Sequence, residues 1–128
     1  MPRIRVLVVE DDSLIRSCMV ETLADAGYEV DDAETGDLAI KLLEEDGYKL
    51  VVTDLNMPGS VDGWGVAAYA HQHEPELPVV FVTGRPDTLA RLLKVGLPGA
   101  VLPKPFALAK LVETVSDLLN LSDTALRR

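Results

Sequence analysis

Five side chains hold the chemistry open to this sequence. Glu10, Asp11 and Asp54 are carboxylates, Thr83 offers a hydroxyl and Lys104 an ammonium, and each lies at or just past the end of a short apolar run. Carboxylates a few ångströms apart repel, and one takes up a proton unless a cation joins them. An all-oxygen donor set suits Mg2+, or Mn2+, which keeps several waters and shares phosphate oxygens with its protein ligands. A metal held there can neutralise charge on a transferring phosphoryl group. Asp54 is then the candidate nucleophile, forming an aspartyl phosphate. Lys104 supplies a point charge for phosphate oxygens, and Thr83 a hydroxyl that can donate to them. Phosphoryl transfer asks mainly for positioning and charge stabilisation, which these groups provide.

The elements that must position them are alternating strands and helices. Ile4 to Val9 reads as a buried strand; Leu14, Ile15, Cys18, Met19, Thr22 and Leu23 then recur at helical spacing, with Gly27 placed to end that helix. Tyr28 to Val30 reads as a second strand, and Ala33, Leu38, Ala39, Leu42 and Leu43 as a second helical stripe stopping near Gly47. Leu50 to Thr53 is a third strand, followed by the turn Met57-Pro58-Gly59-Ser60 and a helix from Val61 to His73. Pro78 introduces a fourth strand, Val79 to Val82; Pro86 to Val95 reads as a shorter helix closed by Gly96. Ala100 to Leu102 is a fifth strand and Phe106 to Leu119 the last helix, so one domain is expected over 1–121 with a frayed polar tail over 122–128. Runs such as Val6-Leu7-Val8-Val9 are apolar on both faces, as in a parallel sheet covered by helices on both sides. Repeated β-α units give an α/β fold with an open doubly wound five-stranded parallel sheet. Ligands bind such folds at the carboxyl ends of the strands, where the five side chains fall. Asp31 and Asp32 follow the second strand, and sit at the sheet edge if that strand is outermost.

Composition narrows the partners. The 128 residues fit one domain with its own core. Cys18 is the single cysteine, so neither a disulfide framework nor a cysteine metal cluster can form within the chain, which suits a reducing compartment. The apolar stretch before Glu10 is too short for a signal peptide or a membrane span, so a cytoplasmic chain with no membrane partner is expected. With a net charge of −9 and no basic run beyond Arg127-Arg128, direct nucleic-acid binding is not expected.

The run Leu7-Val8-Val9-Glu10-Asp11-Asp12-Ser13-Leu14-Ile15-Arg16 resembles the opening of the response-regulator receiver family of two-component signalling. Val52-Thr53-Asp54-Leu55-Asn56-Met57-Pro58-Gly59, followed by Asp62-Gly63, resembles its phosphorylation-site segment, and Val82-Thr83 and Lys104-Pro105-Phe106 its two remaining motifs. One such motif is a weak signal; four in order, spanning Ile4 to Leu119 and each at an expected strand end, are specific. The resemblance implies a flavodoxin-like (βα)5 fold with strand order 2-1-3-4-5. It implies Mg2+ held by Glu10, Asp11, Asp54 and the backbone carbonyl of Asn56, phosphorylation of Asp54, phosphoryl contacts from Thr83 and Lys104, and a cis bond before Pro105. It also implies a phosphoryl donor that is a histidine kinase or a histidine phosphotransfer protein, and phosphorylation-dependent contact with a downstream target protein. Such a chain catalyses only its own phosphorylation and dephosphorylation, as a monomer or weak dimer. With only 120–128 left after the last helix, a stand-alone receiver is expected; the alternative is a receiver fragment of a longer regulator whose linker starts at 122–128.

Some positions depart from the family pattern. The family commonly has an aromatic residue three positions before the motif lysine, thought to turn inward as the threonine moves toward the phosphate. Val101 stands there, and a valine, stiff about its one side-chain torsion, cannot reproduce a ring rotation. The Thr83 half of the switch is expected to remain, with the aromatic half lost or replaced. Gly84 stands where alanine is common, leaving more room beside the site, and one extra residue separates Pro58-Gly59 from Asp62-Gly63. Arg85, two beyond Thr83, could approach the phosphoryl group or block water.

Plainer roles compete at several places. A lone Asp after a strand is usually a turn or capping residue, so Asp54 gains its role from the company of the other motifs. Asp12 suits a helix N-terminus as well as a metal, and Ser13 suits a helix cap better than catalysis. His71 and His73, two apart, cannot face one another on a helix and are expected in solvent. Trp64 is expected to be partly buried, and Cys18 to lie in or near the core. The competing activity is an Asp-nucleophile phosphatase of the haloacid dehalogenase type. That family places its nucleophile after the first strand with a second Asp two residues on; here the best nucleophile follows the third strand, and Asn56 stands two beyond it. A degenerate receiver that binds partners without phosphorylation is disfavoured because all five functional positions are intact.

Overall fold

The computed structural model describes residues 3–45, 47–57, 59, 61–85, 87, 91 and 99–126. In chain order the elements are β1 (Arg5–Val9), α1 (Ser13–Asp25), β2 (Glu29–Ala33), α2 (Gly36–Leu43), β3 (Tyr48–Asp54), α3 (Gly63–His73), β4 (Val79–Thr83), β5 (Gly99–Pro103) and α4 (Leu108–Leu126). Apart from Asp87 and Arg91, the helix expected over Pro86 to Val95 lies outside the described residues, as do Gly96 and, in the expected turn, Pro58 and Ser60.

The strands form one parallel sheet in the order β2-β1-β3-β4-β5. Alternation along each strand explains the unbroken apolar runs. Leu7, Val9, Val51 and Phe81 face one side and pack with Ala39 and Leu43 of α2 and Val66, Ala67 and Ala70 of α3. Val6, Val8, Val52, Val80 and Val82 face the other and pack with Met19 and Leu23 of α1 and Leu111 and Val115 of α4. Each buried Val, Leu, Met or Phe among them contributes roughly 1.5–3 kcal/mol of transfer free energy, which makes the two faces the source of rigidity behind the strand ends.

Local signals place the helices. Asp12 caps α1, its Oδ1 accepting from the amides of Leu14 and Ile15 at 3.0 Å each, so the cap is Asp12 and Ser13 is the first helical residue. Thr35 caps α2 through Leu38 N, and Asp62 caps α3 through Gly65 N. The first helix ends as expected, with Gly27 at φ +104°, a conformation that glycine adopts without penalty.

Several boundaries differ from expectation: β3 runs from Tyr48 to Asp54 and not from Leu50 to Thr53, α3 starts at Gly63 and not at Val61, and α4 starts at Leu108 and not at Phe106. β2 extends through Asp31 and Asp32 to Ala33, so these acids are strand residues and Ala33 belongs to the strand, not to the second helix. An edge strand admits them because each has a cation: Arg5 Nη2 donates to Asp31 at 2.9 Å and Arg16 Nε to Asp32 at 2.9 Å. The last helix runs to Leu126, well past Leu119. No Gly or Pro lies between 108 and 126 to stop it.

Trp64 is half-buried, its ring centroid 6.2 Å from that of Phe81, with the Arg91 guanidinium 4.0 Å from its own centroid. Cys18 is also half-buried. His71 and His73 are exposed, and His73 stacks on Tyr69 at 5.7 Å. The peptide bond between Lys104 and Pro105 is cis. Among the described residues no helix is long and apolar enough to cross a membrane.

Candidate functional site

Register brings the carboxyl ends of four strands level. Val9 pairs with Thr53, Asp54 with Val82, and Thr83 with Pro103. Glu10 and Asp11 leave β1, Asp54 ends β3, Thr83 ends β4 and Lys104 follows β5. Glu10, Asp54 and Thr83 are buried; Asp11 and Asn56 are exposed, and Lys104 is half-buried.

Lys104 joins the two buried acids. Its Nζ donates to Glu10 Oε1 at 3.0 Å and to Asp54 Oδ2 at 2.9 Å. The other oxygens are held by backbone amides: Glu10 Oε2 accepts from Asp12 N at 3.2 Å, and Asp54 Oδ1 from Asn56 N at 3.0 Å. Asp11 completes the group, since one carboxylate oxygen from each of Glu10, Asp11 and Asp54 lies within 4.8 Å of the others. Beside them, Thr83 Oγ1 accepts from Arg85 N at 3.0 Å and from Asn56 Nδ2 at 3.4 Å.

This crowding shows in the electrostatics. Burial, reinforced by the Asp54 charge, pushes the Glu10 carboxyl up to about 7, against the opposing hydrogen bonds from Lys104 and the Asp12 amide. Burial works against a charged Lys104, but its hydrogen bonds to Asp54 and Glu10 outweigh that and raise its pKa. A divalent cation fits such a place, because three hard oxygen donors converge there.

The structure thus gathers Glu10, Asp11, Asp54, Thr83 and Lys104, with Asn56 beside them. Asp12 is a helix cap whose amide serves Glu10. Arg85 lies beside Thr83 through its backbone amide. Val101 pairs with Phe81 in the sheet and packs, half-buried, against the core on the α2–α3 side. Asp31 lies elsewhere, with Arg5 and Tyr48, whose hydroxyl donates to it at 2.6 Å.

Two residues escaped the sequence reading. Gly63 opens α3 directly over the end of β3: a Cβ there would stand 2.0 Å from Asp54 O and 2.6 Å from Leu55 Cα. The Asp62-Gly63 motif signalled its presence but not this close approach. Arg16 reaches back from α1 to the Glu10 carbonyl, and no sequence signal marks a bond to a backbone oxygen.

The family described as response regulator receiver domain matches residues 6–116. The chain is 35% identical to the response regulator receiver protein CpdR of Brucella abortus, covering 90% of this chain and 96% of that protein. It is 36% identical to part of the sensor kinase CckA of the same organism, spanning 92% of this chain but only 13% of the kinase. Among solved structures, a response regulator receiver protein from Sinorhizobium medicae superposes with a TM-score of 0.83 at 31% identity, over 92% of this chain and 95% of that one.

Proposed function

Because the chain belongs to the response regulator receiver family of two-component signalling, we propose that Asp54 accepts a phosphoryl group from a phosphohistidine on a histidine kinase or phosphotransfer protein. An Asp54 carboxylate oxygen forms the new P–O bond as the donor's P–N bond breaks, and the proton needed by the departing imidazole comes from solvent or the donor protein. The observation that carries this reading is the placement of Asp54: buried at a strand end, its two oxygens held by Lys104 and the Asn56 amide. That orients the nucleophile before any donor arrives.

Glu10, Asp11 and Asp54, with the backbone carbonyl of Asn56, hold Mg2+ or Mn2+ in this reading. When bound, the ion neutralises charge on the phosphoryl oxygens. Lys104 hydrogen-bonds the phosphoryl group from the end of β5, and the Thr83 hydroxyl turns to donate to it. Movement of Thr83 is the part of the switch that this chain retains, since Val101 has no ring to reorient. The output is phosphorylation-dependent contact with a target protein, with no turnover of a separate substrate. The similar segment makes up nearly all of CpdR but only 13% of the much longer CckA.

The test is Mg2+-dependent labelling by acetyl phosphate, followed by phosphotransfer from the histidine kinases of the source organism. Label should be retained by the wild-type chain and lost in Asp54→Ala. Label that persists in Asp54→Ala, or needs no divalent cation, refutes the assignment.

A further inference from the structure

Arg16 lies one turn into α1, yet its guanidinium turns inward: the side chain is only 16% exposed. Nη1 donates to the backbone carbonyl of Glu10 at 2.9 Å, and Nε donates to Asp32 Oδ2 at 2.9 Å. The Glu10 amide donates to Ala33 O at 3.1 Å, next to Asp32 on β2. Both backbone polar groups of Glu10 are therefore held, one from α1 and one from β2, and Arg16 also ties those two elements together.

From this geometry we propose that Arg16 is a positioning residue for the cation site, fixing the backbone at the end of β1 so that Glu10 and Asp11 present their carboxylates to the metal. The inference rests on the reading of Asp54 as a Mg2+-assisted phosphoacceptor. Its logic is steric. A rigid planar fork can hold two acceptors on two different elements at set angles, which a flexible ammonium cannot. Outer groups that orient the ligands of a metal typically alter its affinity by about 10–100-fold.

Charge alone predicts the opposite sign. A cation on the Glu10 carbonyl repels a metal ion held by the carboxylate of the same residue, so removing it should tighten metal binding. Positioning predicts weaker binding. The two are separated by titrating the full chain with Mn2+, reading free Mn2+ by electron paramagnetic resonance, for wild type, Arg16→Lys and Arg16→Gln. Thermal unfolding without divalent cation shows which variants are folded.

Arg16→Gln should bind Mn2+ at least about tenfold more weakly, and Arg16→Lys, which keeps the charge but not the fork, at least about threefold more weakly. Tighter binding in Arg16→Gln overturns the proposal, and so does wild-type affinity in Arg16→Lys. Should the glutamine variant not fold, the lysine variant decides alone. A wild-type chain that neither binds Mn2+ nor labels on Asp54 defeats the underlying reading; one that does both while the variants match it defeats only the role of Arg16.

Discussion

Replacing Glu10 by its neutral isostere should make the metal-free protein more stable, at a pH that the site itself sets. Glu10 is buried to 1% exposure and its carboxyl is pushed from 4.5 up to about 7. A folded-state pKa above the unfolded one means stability that is full below about pH 4.5 and is lost as pH rises through about 7. A rise from 4.5 to about 7 corresponds to about 3 kcal/mol once Glu10 is ionised. Glu10→Gln has no charge to bury. In chelator, it should match wild type at about pH 4.5 and exceed it by up to about 3 kcal/mol at about pH 8. Denaturant unfolding at both pH values reads this as a shift of midpoint at constant slope. Adding Mg2+ should narrow this difference at the higher pH. Binding at about a hundred times the dissociation constant adds about 2.7 kcal/mol to wild type, and the variant, short of one carboxylate, gains less. A variant no more stable than wild type at the higher pH, or equally stabilised at both, refutes the assignment of the strain to Glu10.

Three further substitutions follow from named contacts. Lys104→Met removes the cation shared by Glu10 and Asp54, so metal-free stability should fall by about 3 kcal/mol at about pH 8 and by less where Glu10 is protonated and only the Asp54 contact is lost, with acetyl-phosphate labelling lost as well; a larger loss at the lower pH would exclude this cause. Gly63→Ala sets a methyl group against the Asp54 carbonyl and should cost at least about 2 kcal/mol in unfolding experiments while slowing labelling of Asp54. Asp12→Ala deletes the α1 cap and should cost about 1 kcal/mol. The bond to Glu10 comes from the backbone amide at that position, so labelling should stay near the wild-type rate.

What could be read from the sequence was what physical pattern exposes. Val6 to Val9 and Val79 to Val82 are apolar at every position, and only a sheet covered on both faces uses all of them. The strand ends then placed Glu10, Asp54 and Thr83 together without a structure. The misreadings have equally physical causes. Asp31 and Asp32 look like loop residues until Arg5 and Arg16, distant in sequence, are seen to neutralise them on an edge strand. The extension of α4 carries no signal except the lack of a breaker. Ser13 and Asp12 are both good caps, and a one-residue difference in helix start decides between them. The bond from Arg16 to Glu10 was hidden for a different reason: its acceptor is a carbonyl, which every residue has.

The site is costly in a protein of ordinary stability. Ionising Glu10 costs about 3 kcal/mol, against a typical total of roughly 5–15 kcal/mol for a domain. The three carboxylates therefore need a framework that cannot relax by moving apart, and the contacts describe one: an amide on each buried acid, Lys104 across both, and two apolar layers behind the strands. A phosphoryl group on Asp54 carries about −1.5 to −2 charges at neutral pH and replaces the −1 of the carboxylate, a net gain of about −0.5 to −1. Lys104 cannot keep Glu10 and Asp54 as equal partners and also serve the new oxygens, so its contact with Glu10 is the first that the added charge should break. Lys104 directly follows β5, three residues beyond Val101. A pull on Lys104 is thus delivered to the strand that lacks the aromatic ring, which gives the backbone of β5 a means of responding that needs no side-chain rotation.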